Sequence, residues 1–350
     1  MTFGMPKIGW VGAAALIAGL GQPAAAEGIV TFAGWGGTTS EAQIEELFGA
    51  SADLGIDLAS ESHGGWPGIK AYLQSGAEGW DIVSVGFSSC EQASQAGLLA
   101  PLDYDVIDAS QVNEDLVHEN YIGAFTFAYA IAYQDKYKDN PPTTWADFWD
   151  VETFPGRRSL PSHGTFVLEA ALMADGVAPG DVYSVLETPE GLEQAFAKVE
   201  EIKPHIDVWY TSTGQLTELV RTGEIELAIF PNGRASVLTK DGSDIGYEWN
   251  QGLIDTECLM IPASAPNKEG AMELINAALD PASQARFAAR SGYGPVNPAA
   301  FDDESLADPE VSMWLPTESS NLSKMIYSSA EWYASAAAED AYLRFGKLLQ

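Results

Sequence analysis

The run Ile122-Gly123-Ala124-Phe125-Thr126-Phe127-Ala128-Tyr129-Ala130-Ile131-Ala132-Tyr133 is aromatic, β-branched and alanine-rich from end to end, with no charged side chain. That composition predicts an extended strand, and the length of the run predicts that it crosses between domains. Strand and helix signals alternate on both sides of it. Upstream, Gly28-Ile29-Val30-Thr31-Phe32-Ala33-Gly34 reads as a strand and Trp35-Gly36-Gly37-Thr38-Thr39 as a loop. Ser40-x-x-Gln43 reads as a capping box ahead of Ile44, Leu47 and Phe48 at helical spacing. A second unit follows: a strand at Ile56-Asp57-Leu58, a helix over 67–74, a strand at Asp81-Ile82-Val83-Ser84-Val85, and a helix capped by Ser89-x-x-Gln92. Downstream, Thr143 or Thr144 caps a helix over 145–149, and helices are predicted over 166–173 and 189–202. Strands at 208–210 and 225–230, a capped turn at Ser212-Thr213-Gly214-Gln215, a strand over 253–262 and helices over 269–279 and 281–289 complete the pattern. Such alternation predicts an α/β fold with a largely parallel sheet, whose ligands bind beyond the C-terminal ends of its strands.

The chain begins with one basic residue, Lys7, an apolar run over 8–20 and the small triplet Ala24-Ala25-Ala26. That order predicts a cleavable secretion signal over residues 1–26, cut near Ala26, with an apolar run shorter than the roughly 20 residues of a membrane span. No cysteine stands at the cut to accept a lipid, so a free periplasmic protein is expected. The remaining 324 residues (350 minus 26) exceed what one core usually serves, which predicts two domains. The formal charge is −33, or −34 without Lys7. A surface this acidic repels nucleic acid and anionic lipid and gathers cations; solubility in a salty medium accounts for it equally well. Cys90 and Cys258 fit no zinc spacing, and in an oxidising compartment either a bridge or two buried thiols is open. The histidines at 63, 118, 163 and 205 fall in no metalloprotease spacing, and no nucleophile elbow is present. No catalytic residue, cofactor or metal site is expected.

The order of several short motifs resembles one family. These are the signal followed by a strand and Trp35-Gly36-Gly37; Pro141-Pro142-Thr143-Thr144-Trp145-Ala146-Asp147-Phe148-Trp149-Asp150 with Phe154-Pro155-Gly156; Phe230-Pro231-Asn232-Gly233-Arg234; Ala265-Pro266-Asn267-Lys268; and Gly292-Tyr293-Gly294-Pro295-Val296-Asn297. Over the mature chain they resemble the periplasmic solute-binding proteins of ABC importers, in the spermidine/putrescine branch. The resemblance implies a periplasmic-binding-protein type II fold, with two α/β lobes joined by crossover hinge segments. Lobe 1 is expected over 27–128 with 252–292, and lobe 2 over 129–251 with 293–350. It also implies a monomer that closes over a small amine and hands it to an inner-membrane ABC permease.

An ammonium group offers three donors and seeks carboxylates and ring faces. On the strand over 253–262, Asp255 and Glu257 lie two residues apart and so share one face. A solvated strand face looks the same, but Glu257 matches the position of the family's amine-binding acid. The resemblance further implies ligand contacts at Trp35 and Thr38 in the first strand-to-helix loop, at Phe87 and Ser88 after the third strand, at Trp209, Thr213 and Asn232 in the second lobe, and at Tyr293 and Trp332. For each aromatic, ordinary packing is the competing reading. Ser162-His163-Gly164-Thr165-Phe166 stands where polyamine binders carry further acids, so the far-end anchor is expected to be missing. Arg234 pairs either with a structural acid or, if it faces the cleft, with a ligand carboxylate. A polyamine-like cation is therefore the expected ligand. A zwitterion or quaternary amine is the alternative, and a secreted enzyme or metal-ion binder is the reading from another class.

Overall fold

The computed structural model describes Met1 and residues 28–350, so the segment read as a secretion signal lies outside the described residues. The first βα units are β1 (Gly28–Gly34), α1 (Gly37–Ala42), β2 (Ile56–Ser62), α2 (Trp66–Ser75), β3 (Ile82–Gly86) and α3 (Phe87–Gln95). The long strand β4 (Tyr121–Gln134) follows, then α4 (Trp145–Trp149), β5 (Arg158–Pro161), α5 (Val167–Ala174), α6 (Val182–Leu186) and α7 (Pro189–Ile202). Next come β6 (Ile206–Tyr210), α8 (Thr213–Arg221), β7 (Leu227–Pro231), α9 (Asn232–Lys240) and a second long strand, β8 (Ile245–Met260). The chain ends in α10 (Lys268–Ala278), α11 (Pro281–Ser291), β9 (Gly294–Pro295), α12 (Pro309–Ser312), α13 (Ser319–Leu322), β10 (Ile326–Tyr327), α14 (Ala330–Ala334) and α15 (Ala336–Leu348). The fold is α/β, as the alternation predicts. Among the described residues no helix is long and apolar enough to cross a membrane.

One sheet runs through the molecule in the order β2-β1-β3-β8-β4-β7-β5-β6. The outer pairs β1–β2, β1–β3, β5–β6 and β5–β7 are parallel, whereas β3–β8, β4–β8 and β4–β7 are antiparallel. The strand predicted over 122–133 is thus the centre of the sheet, paired along its length with β8. Toward its start, Ile122, Ala124 and Phe125 are buried with Val30, Phe32 and Leu259. Toward its end, Ile131 is buried with Trp145, Phe148, Leu160, Phe196 and Leu253. The C-terminal segment joins both halves. Val296 belongs to the first set of buried side chains and Phe345 to the second.

Three expectations are corrected. Neither Ser40 nor Ser89 caps a helix, because α1 and α3 start earlier, at Gly37 and Phe87. Gly36 (φ 76°) turns the chain into α1 and donates its amide to Ser40 Oγ at 2.8 Å, so backbone geometry starts this helix. By contrast the box on α4 forms, with Thr144 and Asp147 capping each other. The strand predicted from 253 begins instead at Ile245, because Ile245–Glu248 pair with the far end of β4 before the chain bulges outward and rejoins at Leu253. Gln251 (φ 62°) holds that bulge, accepting hydrogen bonds from both nitrogens of Trp145 at 2.9 and 2.8 Å.

Cys90 and Cys258 form a disulfide with Cα atoms 6.6 Å apart, both fully buried, which ties α3 to β8 across 168 residues of chain. A cross-link closing so long a loop removes much unfolded-state entropy. Replacing both cysteines by alanine is expected to cost about 2–5 kcal/mol of stability. Urea unfolding measures it, and an unchanged midpoint would show that the bridge constrains nothing.

Candidate functional site

The acids predicted to share a face do so on β8. Glu257 lies opposite Phe125 and Asp255 opposite Phe127, with the intervening Thr256 turned away. Glu257 is only 3% exposed. Its Oε1 accepts Trp35 Nε1–H at 2.6 Å and the Ser84 hydroxyl at 3.0 Å. Burial pushes its carboxyl up to about 8, against those two hydrogen bonds, and the neighbouring charge of Asp255 pushes the same way. Asp255 is raised by burial to about 6, opposed by the Ser328 hydroxyl and the Thr256 amide.

Trp35 stands in the loop where a core aromatic was least expected. It is 49% exposed between Gly34 and the left-handed Gly36 and Gly37, and its indole packs edge-on against His63 at 4.7 Å. His63 Nδ1 accepts the Gly65 amide at 3.2 Å, so its Nε2–H donates to the Ser84 carbonyl at 2.8 Å and the ring is neutral.

Arg234 arrives from the first turn of α9. Its Nη1 donates to Thr38 Oγ1 at 3.3 Å, and among the described residues no carboxylate lies within ion-pair distance of it. Beside it, Tyr293 stacks on Phe125 at 5.2 Å and shares with Arg234 and Thr38 a cavity of about 220 Å³. A Cβ on Gly233 would sit 2.6 Å from that tyrosine ring, which is why α9 begins with Asn-Gly. Tyr129, on β4, feels the positive field of Arg234 and the negative fields of Asp255 and Glu257 together. One phenol therefore lies within electrostatic reach of the cation and of both acids. Its ring stacks on Phe166 at 4.8 Å, and Phe166 holds a left-handed backbone (φ 66°), a strain of the kind that gathers at binding sites.

Of the other candidates, Phe87 lines with Asp255 and Ser328 a cavity of about 610 Å³, and the rest lie apart. Asn232 is fully buried and bonded within the fold. Its Oδ1 accepts the Ala128 amide at 2.9 Å, and its Nδ2 donates to the carbonyls of Gly292 at 2.6 Å and Trp314 at 2.9 Å. It braces Tyr293 and Arg234. Trp332, 1% exposed, is packed in the core behind β4 and β8. Trp209 is half-buried against Phe345 at 5.7 Å, and Thr213 opens α8. Phe87 packs edge-on against the stacked rings of Tyr121 and His118, and Ser88 follows it half-buried in α3.

Residues 46–313 match the family described as bacterial extracellular solute-binding protein. This chain belongs to that family. It is 31% identical over 313 residues to the γ-aminobutyric acid-binding protein of Pseudomonas aeruginosa, covering 89% of this chain and 88% of that one. It is 32% identical over 173 residues to the spermidine/putrescine-binding periplasmic protein of Escherichia coli, covering 49% of this chain and 46% of that one. An ABC transporter substrate-binding protein from Bradyrhizobium japonicum superposes with a TM-score of 0.85 at 37% identity, covering 92% of this chain and 99% of that one. The protein is thus a solute-binding component of an ABC transporter with the type II binding-protein fold.

One acid of this solute-binding protein escaped the sequence reading. Glu169, 1% exposed on α5, accepts the Tyr333 hydroxyl and, at 3.4 Å, that of Tyr183. Burial raises it to about 7, and Asp255 adds to the rise. A buried acid is therefore present on α5, seven residues beyond Ser162. The signal was available: one carboxylate inside the otherwise apolar Val167-Leu168-Glu169-Ala170-Ala171-Leu172-Met173. Glu257, Asp255 and Glu169 all hold protons in the folded state that ordinary carboxyls release near pH 4 to 5, so stability falls as pH rises toward about 8. Urea unfolding of the ligand-free protein at pH 5.5 and about 8.5 is expected to show this fall. Glu257→Gln should flatten it, and an equally steep profile in that variant would mean that Glu257 titrates normally.

Proposed function

We propose that this protein captures a small zwitterion whose ammonium and carboxylate are separated by a few methylenes, the chemistry of γ-aminobutyrate, and delivers it to a membrane ABC permease without chemical change. The observation that carries this reading is Arg234. In a chain with 50 acidic and 17 basic residues, a guanidinium with no acid at ion-pair distance among the described residues points toward a ligand carboxylate. The ammonium goes to Glu257 and Asp255, and the methylenes lie along Trp35, Tyr129 and Tyr293. A relative named for γ-aminobutyrate, matched over most of both chains, supports the same chemistry. The halves of the sheet on either side of β4 and β8 act as lobes, closing on the ligand about those strands.

A second reading, a di- or polyamine, is favoured by Glu169. It feels the charge of Asp255 and would offer a far ammonium a second buried acid, and a relative named for spermidine and putrescine matches half the chain. A dication, however, would meet the like charge of Arg234. Titration calorimetry separates the two. Arg234→Gln is expected to weaken γ-aminobutyrate by about 1.5–3 kcal/mol and to spare putrescine, whereas Glu257→Gln weakens both by a similar amount. Tighter binding of putrescine than of γ-aminobutyrate by the unaltered protein would transfer the argument to the second reading.

A further inference from the structure

The oxygens of Glu257 are unequal. Both protein donors, Trp35 Nε1–H and the Ser84 hydroxyl, converge on Oε1. An indole N–H can only donate. The Ser84 hydroxyl has one proton to give, and its direction is set from behind, because Gln43 Nε2 donates to Ser84 Oγ at 2.8 Å. With Gln43 occupying the acceptor side of that hydroxyl, its proton is aimed at Glu257. Oε1 thus receives two hydrogen bonds, and Oε2 receives none from the described residues.

We propose that Gln43 and Ser84 are positioning residues that reserve Oε1 of Glu257 as an acceptor, so that a proton and the ligand's ammonium compete for the single remaining oxygen, Oε2. Capture is then an exchange: the neutral acid releases its Oε2 proton to solvent as the ammonium docks, and the carboxylate so formed balances the bound positive charge. This rests on the reading above that Glu257 receives the ammonium.

Two observations outside the hydrogen-bond geometry support a function for the relay. Gln43 is fully buried, yet its Oε1 has no hydrogen-bond partner among the described residues, an arrangement that costs stability and calls for a use elsewhere. It also opens the π-helical turn Gln43–Leu47 that continues α1, a wide turn of the sort found at functional sites. The other charged or titratable groups around Glu257 do not replace it in this role. His63 is neutral and pushed further down by burial, Asp255 titrates below Glu257, Arg234 carries a permanent charge, and the phenols of Tyr129 and Tyr293 are pushed up.

Titration calorimetry with γ-aminobutyrate and putrescine, in buffers of differing ionisation enthalpy at about pH 7, counts the protons released on binding. The unaltered protein is expected to release a sizeable fraction of one proton, and Glu257→Gln to bind more weakly and release less. Ser84→Ala and Gln43→Met should each bind about threefold to tenfold more weakly at that pH, with the pH midpoint of affinity moved upward. Gln43→Met should keep or raise the melting temperature, because it removes an orphaned polar atom, and a purely structural residue would not combine that gain with an upward midpoint. Unchanged midpoints in both variants, or binding without proton release in the unaltered protein, overturn the proposal. Unchanged affinity in Glu257→Gln instead overturns the site reading on which it rests.

Discussion

The antiparallel pairing of β4 with β8 carries the rest of the structure. Each strand is long enough to serve both halves of the sheet, so the two sets of parallel strands are built outward from one shared pair. The pairing is not uniform. It slips near Gly123 and again after Tyr129, and Asp255 and Glu257 lie in the regular stretch between. The site therefore stands on a rigid segment flanked by irregular ones, where bending can be absorbed without altering the spacing of the acids.

Burial sets the electrostatic character of that segment. In water a carboxylate is charged and well solvated. At Glu257, Asp255 and Glu169 the lost solvation outweighs the hydrogen bonds that replace it, so all three sit above the usual carboxylate range. An empty site of this kind is a destabilised one, and a cation that restores the charge balance recovers part of the cost. The large surface charge acts at longer range, enriching cations near the molecule without selecting among them. Selection requires the buried groups.

The sequence was most legible where composition and period act alone. The strand over Gly28–Gly34 and the helix over Pro189–Ile202 matched to the residue, and the run read as a crossover strand differed by one residue at each end. Period two placed Asp255 and Glu257 together, and its neighbouring glycines marked Trp35. Where contacts between distant segments decide, the reading failed. Gln43 was read as half of a local capping box, yet it reaches β3, because nothing local records that Ser84 will lie beside it. Nor does anything local record that the Asn232 side chain, read as a ligand contact, bonds to β4 and to the C-terminal segment. Glu169 was not singled out, because one acid inside an apolar helix carries no local mark of the tyrosines that meet it.

The division of charge between elements has a further consequence. The acids sit on β8, while Arg234 is carried on α9 and reaches across to Thr38 of α1. Under the reading proposed above, a ligand bearing both charges makes its second ion pair as an intramolecular event, at an effective concentration fixed by the distance between its own two ends. A free amine and a free carboxylate offered separately gain nothing from each other. The cleft then acts as a ruler for the molecule it holds.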